Sequence, residues 1–312
     1  MKILINSFAI VLPLLLLVVI GYLLKIKKVL SESSVKEFSF VVSNVILPVN
    51  IFMNVYGSDF SKDFDLKTVL FIIGMYFLLM IWVVFMTNLF FKDNKQKSAL
   101  LQVSLRNNSA IFGIPLAISI FGPGVSGAAA FAAALTTPIL NIYAVAELEH
   151  YTAKENNIKK IILNVFKNPL VLATLVGLVF KLLGIRLPGF ADTTCSYISR
   201  STTGISLIVL GASFDPDISG HLKPVIYGVM MKLVINPIIV LSAAVLLGFR
   251  DASLVVILAM FASPPAVSCF ATACKYDTDV NLTSNVIIYA QIFCLFTLTI
   301  IITILRLNGF IA

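Results

Sequence analysis

Apolar stretches of about twenty residues recur along the whole chain, and they constrain its fold more than any other feature. A helix of about 20 apolar residues is long enough to cross the hydrocarbon core of a bilayer. The stretches therefore predict an all-α integral membrane protein with about ten transmembrane helices. The ten predicted spans lie near 5–24, 37–56, 68–91, 98–121, 125–146, 168–185, 197–214, 223–247, 252–274 and 281–305.

The composition excludes a soluble fold. The 312-residue chain is 59% hydrophobic and only 12% charged, whereas a soluble domain has roughly 25% charged residues. Too few polar side chains are left to coat a water-soluble surface, so lipid must cover much of the apolar area.

The predicted spans divide into two halves of five. The only long polar connection follows the fifth span, so we expect one five-helix repeat at 1–150, a cytoplasmic connecting loop at 151–167 and a second repeat at 168–312. Short internal similarity supports the division, because Gly21–Lys25 resembles Gly177–Lys181. An odd number of spans per half inverts the second half relative to the first. Inverted repeats of this kind build secondary transporters.

The charged connections predict an orientation. Connections after odd-numbered spans hold thirteen Lys residues, and the opposite side holds seven Lys and Arg residues. The positive-inside rule then places both termini outside a multi-pass protein of the plasma membrane. The same rule accounts for the net charge of +8, so the charge does not indicate a nucleic-acid partner.

The chain lacks the patterns of an enzyme or a metal protein. The only histidines, His150 and His221, lie at predicted loops, and no Ser–His pair or pair of aspartates occurs within a span. The four cysteines form no CxxC pair and read as small buried hydrophobes. We therefore expect no catalytic residue, no metal and no cofactor. An anion channel and a non-transporting membrane receptor stay open as alternatives, although the chain has no filter motif and no soluble output domain.

Two spans are interrupted by proline at matching places. Asn107–Pro115 lies in the fourth span of the first half, and Ala262–Ser268 lies in the fourth span of the second half. Proline removes a backbone donor and clashes with the preceding turn, and backbone groups freed in lipid need protein or trapped water. We expect both helices to unwind, near Gly113–Pro115 and Pro264–Pro265, and to cross at mid-depth. The alternative is that each proline only kinks its helix.

The residues at the first break resemble a known family. The spacing of Asn108, Gly113 and Pro115 is similar to the Asn-x-x-x-x-Gly-x-Pro signature of the auxin efflux carrier family, with Ala110 where that family usually has glycine. Ala262–Asp277 and Lys232–Pro237 also resemble its patterns. The resemblance implies two inverted five-helix repeats with broken crossover helices four and nine. Plant members export auxin, bacterial members are associated with malonate and malate, and the short central loop resembles the bacterial kind.

Together these patterns predict a secondary carrier of small organic anions, such as dicarboxylates or auxin-like carboxylates, that works by alternating access around the crossover. Helix N-termini and side-chain amides at the breaks would hold the anion. The candidate substrate-binding residues are Arg106, Asn108, Ser109, Gly113, Pro115, Ser263, Pro264 and Pro265 at the breaks, with Asn44, Asn141 and Gln291 elsewhere in spans.

Several of these residues could instead have a purely structural role. Arg106 could instead snorkel to the cytoplasmic surface, and the Asn and Gln residues could form interhelical hydrogen bonds. For Lys232 we expect a structural role. The sequence leaves open the carboxylate, the direction of transport, the coupling ion and whether the chain forms a homodimer.

Overall fold

Helices form most of the chain. The computed structural model describes residues 2–57, 65–152, 158–216, 220–276 and 278–311. In chain order the α-helices are α1 (Lys2–Ile26), α2 (Glu32–Val41), α3 (Leu47–Tyr56), α4 (Leu66–Phe90), α5 (Asn94–Leu105), α6 (Ile114–Phe121), α7 (Ser126–Thr152), α8 (Ile158–Lys167), α9 (Pro169–Leu182), α10 (Gly189–Ser213), α11 (Leu222–Met230), α12 (Asn236–Leu246), α13 (Asp251–Phe261), α14 (Ser268–Lys275) and α15 (Val280–Leu307).

The helices have the length and composition of a membrane protein. Within the described ranges, five helical stretches are long and apolar enough to cross a bilayer: Ser33–Tyr56, Leu66–Phe90, Pro123–Thr152, Leu222–Leu246 and Val280–Leu307. Many of their large apolar side chains face outward, which water would not tolerate over so large a surface. The predicted all-helical membrane protein is confirmed. The full count of ten spans exceeds these five stretches and stays a prediction.

Two predicted boundaries differ from the structure. The predicted connecting loop at 151–167 contains the helix α8 over Ile158–Lys167, and α10 begins at Gly189, well before the predicted start of the seventh span at 197. The N-terminal half of α10 is polar, so the hydropathy of the sequence did not indicate where this helix begins. Hydropathy reports contact with lipid, not helical backbone. Residues 153–157 of the predicted loop, and Asp277, lie outside the described residues.

Three π-helical segments sit at the same offset from a proline. In each, the residue just before the proline donates its amide to the carbonyl five residues earlier. The proline ring would clash with the carbonyl four residues earlier, and one extra residue per turn removes that conflict. The segments and their prolines are Val42–Ile46 with Pro48, Ser109–Gly113 with Pro115, and Met231–Ile235 with Pro237.

The most enclosed helix is α13. Every side chain from Leu254 to Phe261 is buried, and α13 packs against α4, α6, α7 and α12. A helix that is apolar on all sides belongs in the interior of a bundle. Its C-terminal end, where the second break begins, is therefore held deep inside the protein.

Glycine residues let α1 and α10, and likewise α9 and α3, approach each other closely at the backbone. A Cβ atom on Gly21 of α1 would lie 1.9 Å from the Ile208 carbonyl oxygen of α10, and one on Gly211 of α10 would lie 2.0 Å from the Val18 carbonyl oxygen of α1. In the second pair, a Cβ atom on Gly177 of α9 would lie 3.1 Å from the Phe52 carbonyl oxygen of α3. Small residues permit such contacts between membrane helices.

Candidate functional site

The first helix break lies earlier than the sequence predicts. The helix α5 ends at Leu105, Arg106 adopts extended backbone angles (φ −79°, ψ 125°), and helical structure resumes at Ser109. The prediction of unwinding at Gly113–Pro115 is wrong, because those residues lie in a continuous helix. Pro115 occupies the start of α6, and the preceding π segment already accommodates its ring.

The second break lies where the sequence predicts, and the two breaks meet. Residues 262–267 separate α13 from α14 and include Pro264 and Pro265. Asn107 and Pro265 form an antiparallel bridge. On either side of it, the Asn108 amide donates to the Pro264 carbonyl (3.0 Å) and the Ala266 amide donates to the Arg106 carbonyl (3.1 Å). Each break thus satisfies backbone groups that the other has freed, as a membrane interior requires.

The guanidinium of Arg106 lies inside the protein. Arg106 is only 5% exposed. Its Nη atoms donate to the Ser268 hydroxyl (2.8 Å), the Thr272 hydroxyl (3.3 Å), the Gln102 amide oxygen (3.3 Å) and the Asn141 amide oxygen (3.4 Å). Arg106 therefore does not snorkel to the surface. All four side-chain partners are neutral, although the buried carboxyl of Glu147 accepts a hydrogen bond from Gln102 and interacts electrostatically with Arg106. No carboxylate among the described residues forms a direct ion pair with the guanidinium, so its charge can still attract an anion.

The ammonium of Lys232 also holds the first break in place. Lys232 is buried, and its Nζ donates to the Arg106 carbonyl at 3.2 Å and to the Asn107 side-chain oxygen. Asn107 in turn donates to the Tyr76 hydroxyl (2.8 Å), which donates to the Met260 carbonyl (3.0 Å). This network supports the structural role predicted for Lys232, because it holds unwound backbone in place.

A cavity of about 280 Å³ adjoins the crossover. Its wall is formed by α3, the first break with the start of the following helix, α7, α10, and the second break with the start of α14. The residues that line it include two arginines, Arg106 and Arg200, and the described lining contains no Asp or Glu. Helices also begin at this wall with Ser109 and Ser268, and a helix N-terminus presents unpaired amides and a partial positive charge. The cavity is electropositive.

A family model described as membrane transport protein matches residues 7–302. This chain belongs to the membrane transport protein family. The resemblance to auxin efflux carriers is confirmed. Similar proteins include an uncharacterized transporter of Methanothermobacter thermautotrophicus, 27% identical over 92% of this chain and 95% of its own length, and the uncharacterized transporter YfdV of Escherichia coli K12, 22% identical over 85% and 87%. Auxin efflux carrier component 6 of Arabidopsis thaliana is 26% identical over 40% of this chain and 23% of its own length.

Four of the residues predicted for this membrane transport protein line the cavity: Arg106, Asn108, Ser109 and Asn141. The side-chain nitrogens of Asn108 and Asn141 are buried and donate no hydrogen bond to any described residue. A buried donor without a partner is costly, so both amides are suited to a ligand that brings acceptor oxygens.

The other predicted break residues lie outside the cavity wall. The Ser263 hydroxyl donates to the Ala259 carbonyl of the preceding helix α13 (2.5 Å). A Cβ atom on Gly113 would lie 2.7 Å from that same carbonyl oxygen, so Gly113 permits close packing on α13. Pro115, Pro264 and Pro265 shape the two helices and do not line the cavity.

The two remaining candidates are also remote from the cavity. The Asn44 amide donates to the Phe40 carbonyl within its own helix (2.9 Å). Gln291 is fully buried in α15, and neither side-chain polar atom finds a partner among the described residues. Asn141 and Gln291 are 150 residues apart in the two halves, yet only Asn141 lines the cavity.

Sequence reasoning missed the polar wall formed by α3 and α10. Asn50 of α3 donates to the Ser199 hydroxyl of α10 (2.9 Å), and Ser199, Thr203 and Ser206 line the cavity beside Arg200. Arg200 is one of the seven basic residues that the loop-charge count places on the outer side, but α10 already begins at Gly189. The helical spacing of these hydroxyl residues was a signal that could have revealed the wall.

Proposed function

We propose that this member of the membrane transport protein family is a secondary carrier of small organic anions. The observation that carries the proposal is the electropositive cavity at the crossover, where Arg106 and the unpartnered amides of Asn108 and Asn141 meet. An anion leaving water for such a site needs donors in place of its hydration shell. Neutral amides, helix N-termini and an arginine already shared among neutral oxygens supply them.

The size of the cavity favours a small ligand. Pockets for drug-sized molecules enclose roughly 300–1,000 Å³, and this cavity encloses about 280 Å³. The site therefore suits a small carboxylate, such as a dicarboxylate or an auxin-like acid.

We further propose ten spans in two inverted repeats, at 1–150 and 168–312, joined by a cytoplasmic segment at 151–167, with both termini outside the plasma membrane. The helix pairs support this arrangement. α1 of the first half packs on α10 of the second, and α9 of the second half packs on α3 of the first. An exchange of the two halves would map one pair onto the other. Both pairs make close contacts at glycine, at Gly21 with Gly211 and at Gly177.

In alternating access, two groups of helices on either side of the cavity would move against each other. One group of helices contains α1, α3, α9 and α10, which pack on each other, and a second group is built around α13. The cavity lies between them, with α3 and α10 on one side and the crossover with α7 on the other. Motion of one group against the other about a fixed site is the usual mechanism of inverted-repeat carriers.

The test is transport by purified protein in proteoliposomes. Labelled malate, malonate and indole-3-acetate would be offered from outside, with and without unlabelled anion inside. A carrier shows saturable uptake that internal substrate accelerates. Ion conductance without saturation would instead indicate a channel, and the absence of binding and uptake for every organic anion offered would refute the proposal.

A further inference from the structure

Arg200 lies deep within a helix. It is eleven residues from the start of α10 at Gly189, a depth of about 16 Å along the axis at 1.5 Å per residue. In the proposed ten-span topology α10 is the seventh span, and a charged side chain inside a membrane helix needs a partner or a water-filled cavity. Arg200 is exposed and lines the cavity. Within the described part of the chain, no hydrogen bond or ion pair holds its guanidinium.

The backbone that carries Arg200 is firmly held. At Gly211 the backbone of α10 packs directly on the carbonyl of Val18 in α1. Asn50 of α3 donates to both the hydroxyl (2.9 Å) and the carbonyl (3.2 Å) of Ser199. The helix is thus held by α3 next to Arg200 and by α1 about three turns further along, while the charged end of the Arg200 side chain is left without a partner among the described residues. This arrangement is that of a ligand contact rather than a structural ion pair.

The two arginines of the cavity differ in their surroundings and belong to different walls. Arg106 sits at the crossover, buried among four neutral oxygens, whereas Arg200 projects from α10 without a partner. The described lining contains no Asp or Glu. Outside the lining, the buried carboxyl of Glu147 is bonded to Gln102 and interacts electrostatically with Arg106, whereas Arg200 has no such neighbour among the described residues. A ligand with a second anionic group could therefore pair with Arg200, and a ligand whose single anionic group is held at the crossover could not.

We propose that Arg200 is a second anion contact in the cavity, on the wall opposite Arg106, and that it selects substrates with two anionic groups over substrates with one. This inference rests on the proposed function, because it takes the first anionic group to bind at the crossover. It assigns to α10 a specificity-determining residue that contacts the substrate directly.

The experiment compares dianions with monoanions. Binding of malate and malonate, and of lactate and pyruvate, would be measured by calorimetry on purified protein in lipid nanodiscs. We expect Arg200→Gln to weaken dianion binding by about ten-fold or more, the scale of a lost charge-assisted contact, and to change monoanion binding far less. Arg186→Gln is the matched control, because Arg186 is exposed in the connection before α10 and does not line the cavity; it should leave both classes unchanged.

Two outcomes would overturn the role of Arg200. Equal losses for both classes would indicate a general electrostatic effect, and unchanged binding in Arg200→Gln would show that the substrate does not touch it. If Arg200→Gln does not fold, Arg200→Met replaces it, because methionine removes the charge and keeps a long unbranched side chain. Arg200→Met should then lower the preference for dianions, and an unaltered preference would refute the proposal.

Failure of this inference is distinguishable from failure of the proposed function. If the wild-type protein binds an organic anion and Arg200→Gln binds it equally well, only the role of Arg200 falls. If the wild-type protein binds none of the four anions and transports none in proteoliposomes, the anion carrier itself is refuted.

Discussion

Asn108 lies at the crossover, just before the helix that begins at Ser109, and it lines the cavity. Its main-chain amide is committed to the Pro264 carbonyl, while its side-chain nitrogen has no partner among the described residues. The two groups therefore separate two tasks. The backbone holds the crossover together, and in the proposed function the side chain binds the anion.

Replacement of Asn108 by alanine tests that division. We expect Asn108→Ala to stay folded, because the main-chain hydrogen bond survives, and to weaken anion binding by about 1–3 kcal/mol, the cost of leaving a buried polar partner unmet. Binding and uptake would be measured side by side. Asn308→Ala, at the exposed end of α15, is the control. Unchanged affinity in Asn108→Ala would place the substrate elsewhere.

We expect Lys232 to contribute mainly to the stability of the fold rather than to anion binding. Its ammonium contacts the Arg106 carbonyl and the Asn107 side chain, so Lys232→Met removes the donor from two buried acceptors. We expect a loss of stability of about 1–3 kcal/mol, measured as a lower midpoint of thermal unfolding in detergent. An unaltered midpoint would contradict the structural role assigned to Lys232.

At the scale of the helices, proline and glycine have separate tasks. The prolines after the π segments adjust the path of a helix that continues through them, because a local change of hydrogen-bond spacing accommodates the ring. The glycines at α1, α9 and α10 instead let neighbouring backbones touch. Removing a proline would therefore change the direction of one helix, whereas enlarging a glycine would push two helices apart.

The contact of α10 with α1 provides a matched pair of glycine variants. A methyl group on Gly211 would lie 2.0 Å from the Val18 carbonyl oxygen, whereas one on Gly204 of the same helix meets no atom within 4 Å. We expect Gly211→Ala to destabilise the protein by about 1–3 kcal/mol through overpacking and Gly204→Ala to be neutral or slightly stabilising. Thermal unfolding of both in detergent is the measurement. Equal midpoints would show that α10 does not pack on α1 as closely as described.

For the whole molecule, the proposed topology predicts which connections meet the outside. Lys92 follows α4 and Arg186 precedes α10, and both side chains are exposed. In a background without native cysteines, we expect an impermeant thiol reagent applied to intact cells to label Arg186→Cys. Lys92→Cys should react only after the cells are permeabilised. The reverse pattern would show that the protein has the opposite orientation in the membrane. Labelling of both cysteines from outside would refute an odd number of spans between them.

The amino-acid sequence alone determined that this is a helical membrane protein, where its main apolar stretches lie, and that the chain breaks at Pro264–Pro265. It also singled out four residues that line the cavity, Arg106, Asn108, Ser109 and Asn141. These properties follow from local chemistry. Hydropathy reports the surrounding solvent, proline limits its own backbone, and a charge or amide in an apolar span needs a polar environment.

Only the tertiary structure decided where the fourth span unwinds and which other wall faces the site. The chain opens at Arg106–Asn108 rather than at Pro115 because the second break offers the Pro264 carbonyl and the Ala266 amide at that point. Unwound backbone in a membrane can lie only where such partners are available. Likewise, the polar face of α10 with Arg200 becomes part of the cavity only because α10 packs on α1 and α3. The spacing of its hydroxyl residues indicates that α10 has a polar face, but only the packing decides what that face meets.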